Sequence, residues 1–105
     1  SEAQIKKAIK DYLQYQQNLG NLYFDQLFSG EAIEVRGKTR RKIQGCQEGT
    51  SDLYVLIKGR IIFLECKSSK GKASPAQRAF QILVEDQGAS YELVRNVDDV
   101  ERIIK

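Results

Sequence analysis

Gly49-Thr50-Ser51-Asp52-Leu53-Tyr54-Val55-Leu56-Ile57, then Lys58-Gly59, then Arg60-Ile61-Ile62-Phe63-Leu64-Glu65-Cys66-Lys67 is the stretch whose reading decides the fold. Two apolar, β-branched-rich runs flank a Lys-Gly pair, the pattern of a hairpin closed by a two-residue turn. With Lys58-Gly59 as the turn, Ile57 faces Arg60, and every residue on the first strand gains a partner on the second. Asp52 then falls opposite Glu65. Directly opposed side chains share a face, with Cβ atoms roughly 4.5–5.5 Å apart. Lys67, two residues past Glu65, points the same way. Two carboxylates and an ammonium group therefore converge at the end of a hydrophobic hairpin. Opposed like charges are unfavourable unless a cation bridges them. This is the ligand chemistry of Mg²⁺, a hard cation held by one or two carboxylates together with waters and phosphate oxygens.

Outward from the hairpin, Ile61 and Phe63 point to one face and Ile62, Leu64 and Cys66 to the other. A strand apolar on both faces is expected to be central and covered on both sides. Ser74-Pro75-Ala76-Gln77 opens a helix, with Ser at the N-cap, Pro at the first helical position and Gln two residues further on. Ala79, Phe80, Leu83 and Val84 are expected to form its buried face, and Gly88 ends it. A strand over Ser90–Arg95 and a short helix over Val97–Ile104 complete the chain. Toward the N-terminus, Ile5, Ala8, Ile9, Tyr12 and Leu13 follow helical spacing within 1–19, with a capping box from Ser1 and Gln4 and a stop at Gly20. Leu22–Phe28 and Ala32–Arg36 read as strands turned by Ser29-Gly30, and the following stretch up to Gly49 as an irregular loop or frayed hairpin. The order α-β-β-β-β-α-β-α implies an α/β fold with a mixed sheet flanked by helices, in one domain spanning 1–105.

At 105 residues, 41% hydrophobic and 30% charged, the composition is that of a soluble globular domain. No apolar run is long enough for a membrane span, and no signal-peptide pattern opens the chain. The chain starts without methionine, so Ser1 reads as a remnant of processing. Cys46 and Cys66 have neither CxxC spacing nor a disulfide framework, which points to a reducing cytoplasm. Cys66, in an apolar strand, reads as a small buried hydrophobe. The chain has no histidine. This excludes Ser-His-Asp and Cys-His sites, histidine-dependent nucleases and HExxH zinc centres. Acid–base chemistry is left to carboxylates, lysine, tyrosine or a metal-activated water.

The net charge is +3, but its distribution is uneven. Arg36, Lys38, Arg40, Arg41 and Lys42 place five cations in seven positions, and Lys70 and Lys72 follow Lys67 in a Ser/Gly-rich loop. Glu85, Asp86, Glu92, Asp98, Asp99 and Glu101 gather toward the C-terminus. A basic middle and an acidic far end point to one face meant for a polyanion.

With that order in hand, Gly49-x-Ser51-Asp52-Leu53, Glu65-x-Lys67 and Gln77 resemble the PD-(D/E)XK nuclease superfamily. Within it the chain is most similar to the virus-type replication-repair nucleases, the VRR-NUC family. The likeness runs from a Glu-bearing first helix through the hairpin to Lys70-Gly71-Lys72-x-Ser74-x-x-Gln77. It implies a restriction-endonuclease-like sheet and Mg²⁺- or Mn²⁺-dependent hydrolysis of DNA. It further implies that Asp52, Glu65 and the backbone carbonyl of Cys66 hold the metal, with Glu2 as an additional acidic ligand or supporting group. Lys67 would orient or deprotonate the attacking water, and Gln77 would position the water, the lysine or the phosphate. Arg36, Lys38, Arg40, Arg41, Lys42, Lys70 and Lys72 would contact the DNA backbone. Small stand-alone members suggest a homodimer cutting branched DNA such as Holliday junctions, in an intracellular phage- or bacterium-type protein. Two departures stand out: the family often has Pro where Ser51 stands and an aliphatic residue where Cys66 stands.

Each of these residues also has a structural reading. Asp52, Glu65 and Lys67 could form a surface salt-bridge cluster, although charges on a central strand are costly unless paired or used. Glu2 suits the first turn of a helix through the dipole, and Gln77 completes a capping box with Ser74. Tyr12, Tyr15, Tyr23, Phe24 and Phe28 are read as core or dimer surface. Tyr54 shares the face of Asp52 and Glu65 but is read as core. The rival functions are a restriction-like or flap nuclease of the same fold, or a non-catalytic nucleic-acid-binding module.

Overall fold

The computed structural model describes residues 1–105. Three helices, α1 (Glu2–Asn18), α2 (Pro75–Asp86) and α3 (Val97–Ile104), accompany six strands. These are β1 (Tyr23–Gln26), β2 (Glu31–Arg36), β3 (Thr39–Gln44), β4 (Leu53–Ile57), β5 (Arg60–Cys66) and β6 (Ser90–Val94). The main sheet has the order β1-β4-β5-β6, with β1-β4 and β4-β5 antiparallel and β5-β6 parallel. The mixed α/β reading holds, with one strand more than the sequence order supplied.

The hairpin has the register expected of it. Ile57 pairs with Arg60 and Leu53 with Leu64, across a turn in which Lys58 and Gly59 both take positive φ, 49° and 78°. Two positive φ values give a type I′ turn, whose twist matches that of paired strands. β5 is a central strand, flanked by β4 and β6. Its Ile62, Leu64 and Cys66 face join Leu53, Val55, Ile57 and Val94 in a fully buried layer. Ile9 and Leu13 from α1 and Val100 from α3 cover that layer. Ala8, expected on the same stripe of α1, is exposed, because Ile9 and Leu13 centre the packing one position further round.

The opposite face is only half covered. There, Phe80 of α2 meets Phe63 and Tyr91 edge-on, with ring centroids 5.1 and 6.0 Å apart. This contact and the anchoring of Gln77 set the rotation of the helix. The stripe turned inward is therefore Gln77, Phe80, Gln81 and Val84, and Ala79 and Leu83 point out. No residue of α2 is fully buried, and Ile82 and Leu83 are 61% and 63% exposed. Ile61 on β5 and Leu56 on β4 are likewise exposed, because one short helix cannot span this face.

Of the two readings of the basic stretch, an irregular loop or a frayed hairpin, the structure gives the hairpin, and a regular one. Arg36 to Gln44 turns at Gly37-Lys38 and returns as β3, paired with β2 through six residue pairs from Glu31↔Gln44 to Arg36↔Thr39. β1 and β2 do not pair: β1 adds to the main sheet beside β4, and β2 leaves to form this separate hairpin. Alternation of Ile33 and Val35 with polar neighbours supplies the strand pattern. No helix of the structure is long and apolar enough to cross a membrane.

Candidate metal and phosphodiester site

The site forms where the sheet ends and the first turns of α1 and α2 arrive. Asp52 lies one residue before β4, opposite Glu65 in the continued register, and its Oδ2 accepts from the Cys66 backbone N–H at 2.9 Å. Its own carbonyl accepts from Leu27 N–H at 2.7 Å, which ties the loop to the end of β1. Ser51, buried, donates its hydroxyl to the Leu53 carbonyl at 3.0 Å. A side-chain bond thus braces the residue before Asp52, where a proline would brace it through its ring.

Carboxylate oxygens of Glu2, Asp52 and Glu65 all lie within 4.8 Å of one another. Glu2 reaches the group from the first turn of α1, whose N-cap is Ser1 with its capping box to Gln4. Glu65 is 3% exposed. Lys67 Nζ stands 3.4 Å from Glu65 Oε2 and is itself mostly buried. Gln77 Nε2 donates to the same Oε2 at 3.2 Å, while Gln77 Oε1 accepts from Ser74 N–H at 2.9 Å. The amide group thus serves both the helix cap and the carboxylate, one end each.

Burial and the neighbouring Asp52 charge raise the Glu65 carboxyl to about 7, against the pull of the Lys67 ammonium. A carboxyl so placed accepts a proton near neutrality unless a further positive charge joins it. Three convergent carboxylates with oxygen-only chemistry fit a hard divalent cation and no soft one. The Cys66 thiol is fully buried and pushed up to about 12, first by burial and then by Asp52 and Glu65. It stays a neutral filler of the core, as read from the sequence.

One member of the cluster was missed in the sequence. Lys6 Nζ is 3.7 Å from Asp52 Oδ1, one turn along α1 from Glu2. Its spacing of four from Glu2 was the available signal, since residues four apart share a helix face. The group therefore holds three carboxylates and two ammonium groups.

The cations placed on DNA by the sequence divide in two. In the β2-β3 hairpin, Arg36 Nε and Arg41 Nη2 meet Glu34 at 2.6 and 3.6 Å, and Lys42 Nζ meets Glu31 at 3.2 Å. Lys38 and Arg40 form no ion pair there. Lys70 and Lys72 lie unpaired in the loop between Lys67 and α2. Of the aromatics, Tyr12 and Phe24 pack on the core, whereas Tyr15, Tyr23 and Phe28 are 60%, 46% and 44% exposed. Tyr54 is half-buried beside Tyr23, with centroids 6.1 Å apart.

A mixed sheet carrying Asp, then Glu-x-Lys, at its open end, with a helix-borne Gln on the second carboxylate, is the arrangement of a PD-(D/E)XK-type nuclease. The sequence profile of the VRR-NUC domain matches residues 1–98, and the chain belongs to that family. Among curated proteins none matches the chain in sequence.

Proposed function

We propose that the protein is a Mg²⁺- or Mn²⁺-dependent endonuclease that hydrolyses phosphodiester bonds of DNA. The convergence of Glu2, Asp52 and Glu65, with Lys67 against Glu65, carries this reading. Asp52, Glu65 and Glu2, with the Cys66 carbonyl beside them, would hold the cation. When bound, it supplies charge neutralisation on the phosphoryl oxygens and an acidified water. Lys67, desolvated and fixed by Glu65, orients the nucleophilic water and stabilises charge developing on the phosphate. Gln77 holds Glu65 in its rotamer, so that the carboxylate pays little ordering entropy when the site fills. Lys6 balances Asp52 and is available to a phosphate oxygen once Asp52 engages a stronger cation. Lys38, Arg40, Lys70 and Lys72 add backbone contacts, which favour shape over base sequence.

Branched DNA is the substrate we favour, cut by a homodimer with two sites, on the strength of the family likeness. The uncovered stripe of Ala79, Ile82 and Leu83 on α2 supports a second copy. The test is a cleavage panel of linear, flap and four-way-junction DNA with Mg²⁺, Mn²⁺ or EDTA, alongside the mass in solution. Lys67→Ala is expected to abolish cleavage with DNA affinity largely intact. Cleavage that survives in EDTA or in Lys67→Ala would falsify the mechanism. Binding without any cleavage would leave a nucleic-acid-binding module instead.

A further inference from the structure

Beyond the carboxylate group, a cleft of about 520 Å³ opens between the Lys67–Ser74 loop, α2 and β6. Lys72, Arg78 and Arg95 line it, and Glu92 is its only acidic residue. None of the three cations is engaged by a carboxylate, unlike Arg36, Arg41 and Lys42 on the hairpin. Arg95 spends one N–H on the Ser68 carbonyl, which pins the loop, and keeps four others. Tyr91 also lines the cleft. It is 6% exposed, and its hydroxyl is the one buried side-chain polar atom in the chain without a hydrogen-bond partner. A buried hydroxyl left unpaired costs roughly as much as a lost hydrogen bond, so such groups mark a place where a partner is missing.

The cleft adjoins the carboxylate group. Leu93, on its wall, is the β6 partner of Glu65, and Tyr91 is the partner of Phe63 two residues earlier. Arg78 follows Gln77 in the first turn of α2. Glu65 and Asp52, and more weakly Arg78, are the charges that act on the phenol. Its hydroxyl is an unpartnered hydrogen-bond donor in a cleft also lined by Lys72, Arg78 and Arg95, a combination that suits an oxyanion.

We propose that this cleft is a phosphate subsite in which Lys72, Arg78 and Arg95 hold a nucleic-acid phosphate neighbouring the one that is cut, with the Tyr91 hydroxyl donating to it. The proposal rests on the nuclease reading for its substrate and extends it to a substrate-binding wall that the motif residues do not form. The phosphate is either an internal diester or a 5′-terminal monoester, since both present the same oxygens.

Binding of labelled duplex and junction DNA is followed by fluorescence anisotropy in EDTA across a salt series, for the wild-type chain and for Lys72→Gln, Arg78→Gln and Tyr91→Phe. Lys72→Gln and Arg78→Gln, both at exposed positions, are each expected to flatten the slope of log affinity against log salt by about 0.9. Tyr91→Phe is expected to weaken binding at unchanged or higher thermal stability. A single neutral methylphosphonate is then moved through the phosphates flanking the cut. At one position it lowers wild-type affinity but adds nothing to the loss in Arg78→Gln, the non-additivity of groups in contact. Affinity that rises with a 5′-phosphate, and only when Arg78 is present, assigns the terminal group; indifference to it assigns the internal diester. An unchanged slope in both cation variants overturns the proposal, as does a methylphosphonate cost that persists in full in Arg78→Gln. Wild-type cleavage with Mg²⁺ is measured in parallel. Its absence counts against the nuclease reading, whereas normal cleavage with unchanged slopes counts against the cleft alone.

Discussion

Glu65→Gln is expected to stabilise the metal-free protein at pH 8 while removing its activity. Glu65 is buried, and its carboxyl sits at about 7 instead of 4.5 because burial and Asp52 oppose its charge. A raised carboxyl pKa means that the folded state holds a proton that the unfolded state has released. Stability from this group is thus fully present below about pH 4.5 and is lost as pH rises through about 7. The interval corresponds to roughly 3 kcal/mol in the chelated protein. Glutamine mimics the neutral carboxyl, so the variant recovers about 1–3 kcal/mol at pH 8, which for a domain of this size is a rise in Tm on the order of 5–15 °C. Urea unfolding in EDTA at pH 5 and pH 8 reads both numbers. Wild-type stability should fall between the two values, and that of Glu65→Gln should fall less. Adding Mg²⁺ at pH 8 should restore the wild type by about 2.7 kcal/mol at a hundredfold excess over its Kd, and do little for the variant. A wild-type protein equally stable at both pH values in EDTA, or a variant less stable than wild type at pH 8, would refute the argument that Lys67 offsets the charge of Glu65 only in part.

Three further outcomes follow from the geometry. Ser74→Ala should cost about 1 kcal/mol through the cap alone, whereas Gln77→Ala should cost a similar amount and also slow cleavage, since its amide nitrogen holds Glu65; thermal melts and single-turnover rates separate the two. Gly49→Ala should destabilise by more than 2 kcal/mol, because φ is +88° and a Cβ there would stand 2.3 Å from the Ala76 carbonyl oxygen; chemical denaturation reads the loss. Lys58→Asn should stabilise by about 0.5–1 kcal/mol, because Lys58 holds a φ of 49° that asparagine tolerates better; a melt no higher than wild type would count against strain in the turn.

The register of β4 against β5 was legible because it is a local property: one turn type fixes every later pair, and Leu53↔Leu64 follows from Ile57↔Arg60. The capping box at Ser74 is equally local, a matter of residues three apart. The rotation of α2 was not legible. Periodicity gives an apolar stripe, but which edge of it turns inward depends on Phe80 finding Phe63 and Tyr91, and on Gln77 finding Glu65. β3 was legible only as one arm of the alternative frayed hairpin, because its apolar alternation is reduced to Ile43 amid cations, and a strand exposed on both sides carries little hydrophobic signal. Around the carboxylates, Asp52, Glu65 and Lys67 were readable from pairing arithmetic alone. Lys6 and the approach of Glu2 depend on where α1 docks, which no local pattern states. Arg78 and Arg95 carried no motif; the docking of α2 through Gln77 brings the first, and the packing of β6 beside β5 the second, to the wall next to Glu65.

The β2-β3 hairpin leaves and rejoins the rest of the chain through a narrow neck. Cys46 N–H donates to the Phe28 carbonyl at 2.6 Å, Gly45 N–H to Gly30 at 2.8 Å and Gly30 N–H to Cys46 at 3.2 Å. Gly45 has no room for a side chain there, because Phe28 occupies the space. The two ends of this excursion are therefore already joined, in space, by the length of a tight turn. The chain between them keeps its ion pairs to itself, from Lys42 to Glu31 and from Arg36 and Arg41 to Glu34, so a change in its length is expected to leave the main sheet in place, which thermal melts of shortened variants would check. The charged hairpin and the carboxylate cluster thus occupy separate parts of the fold.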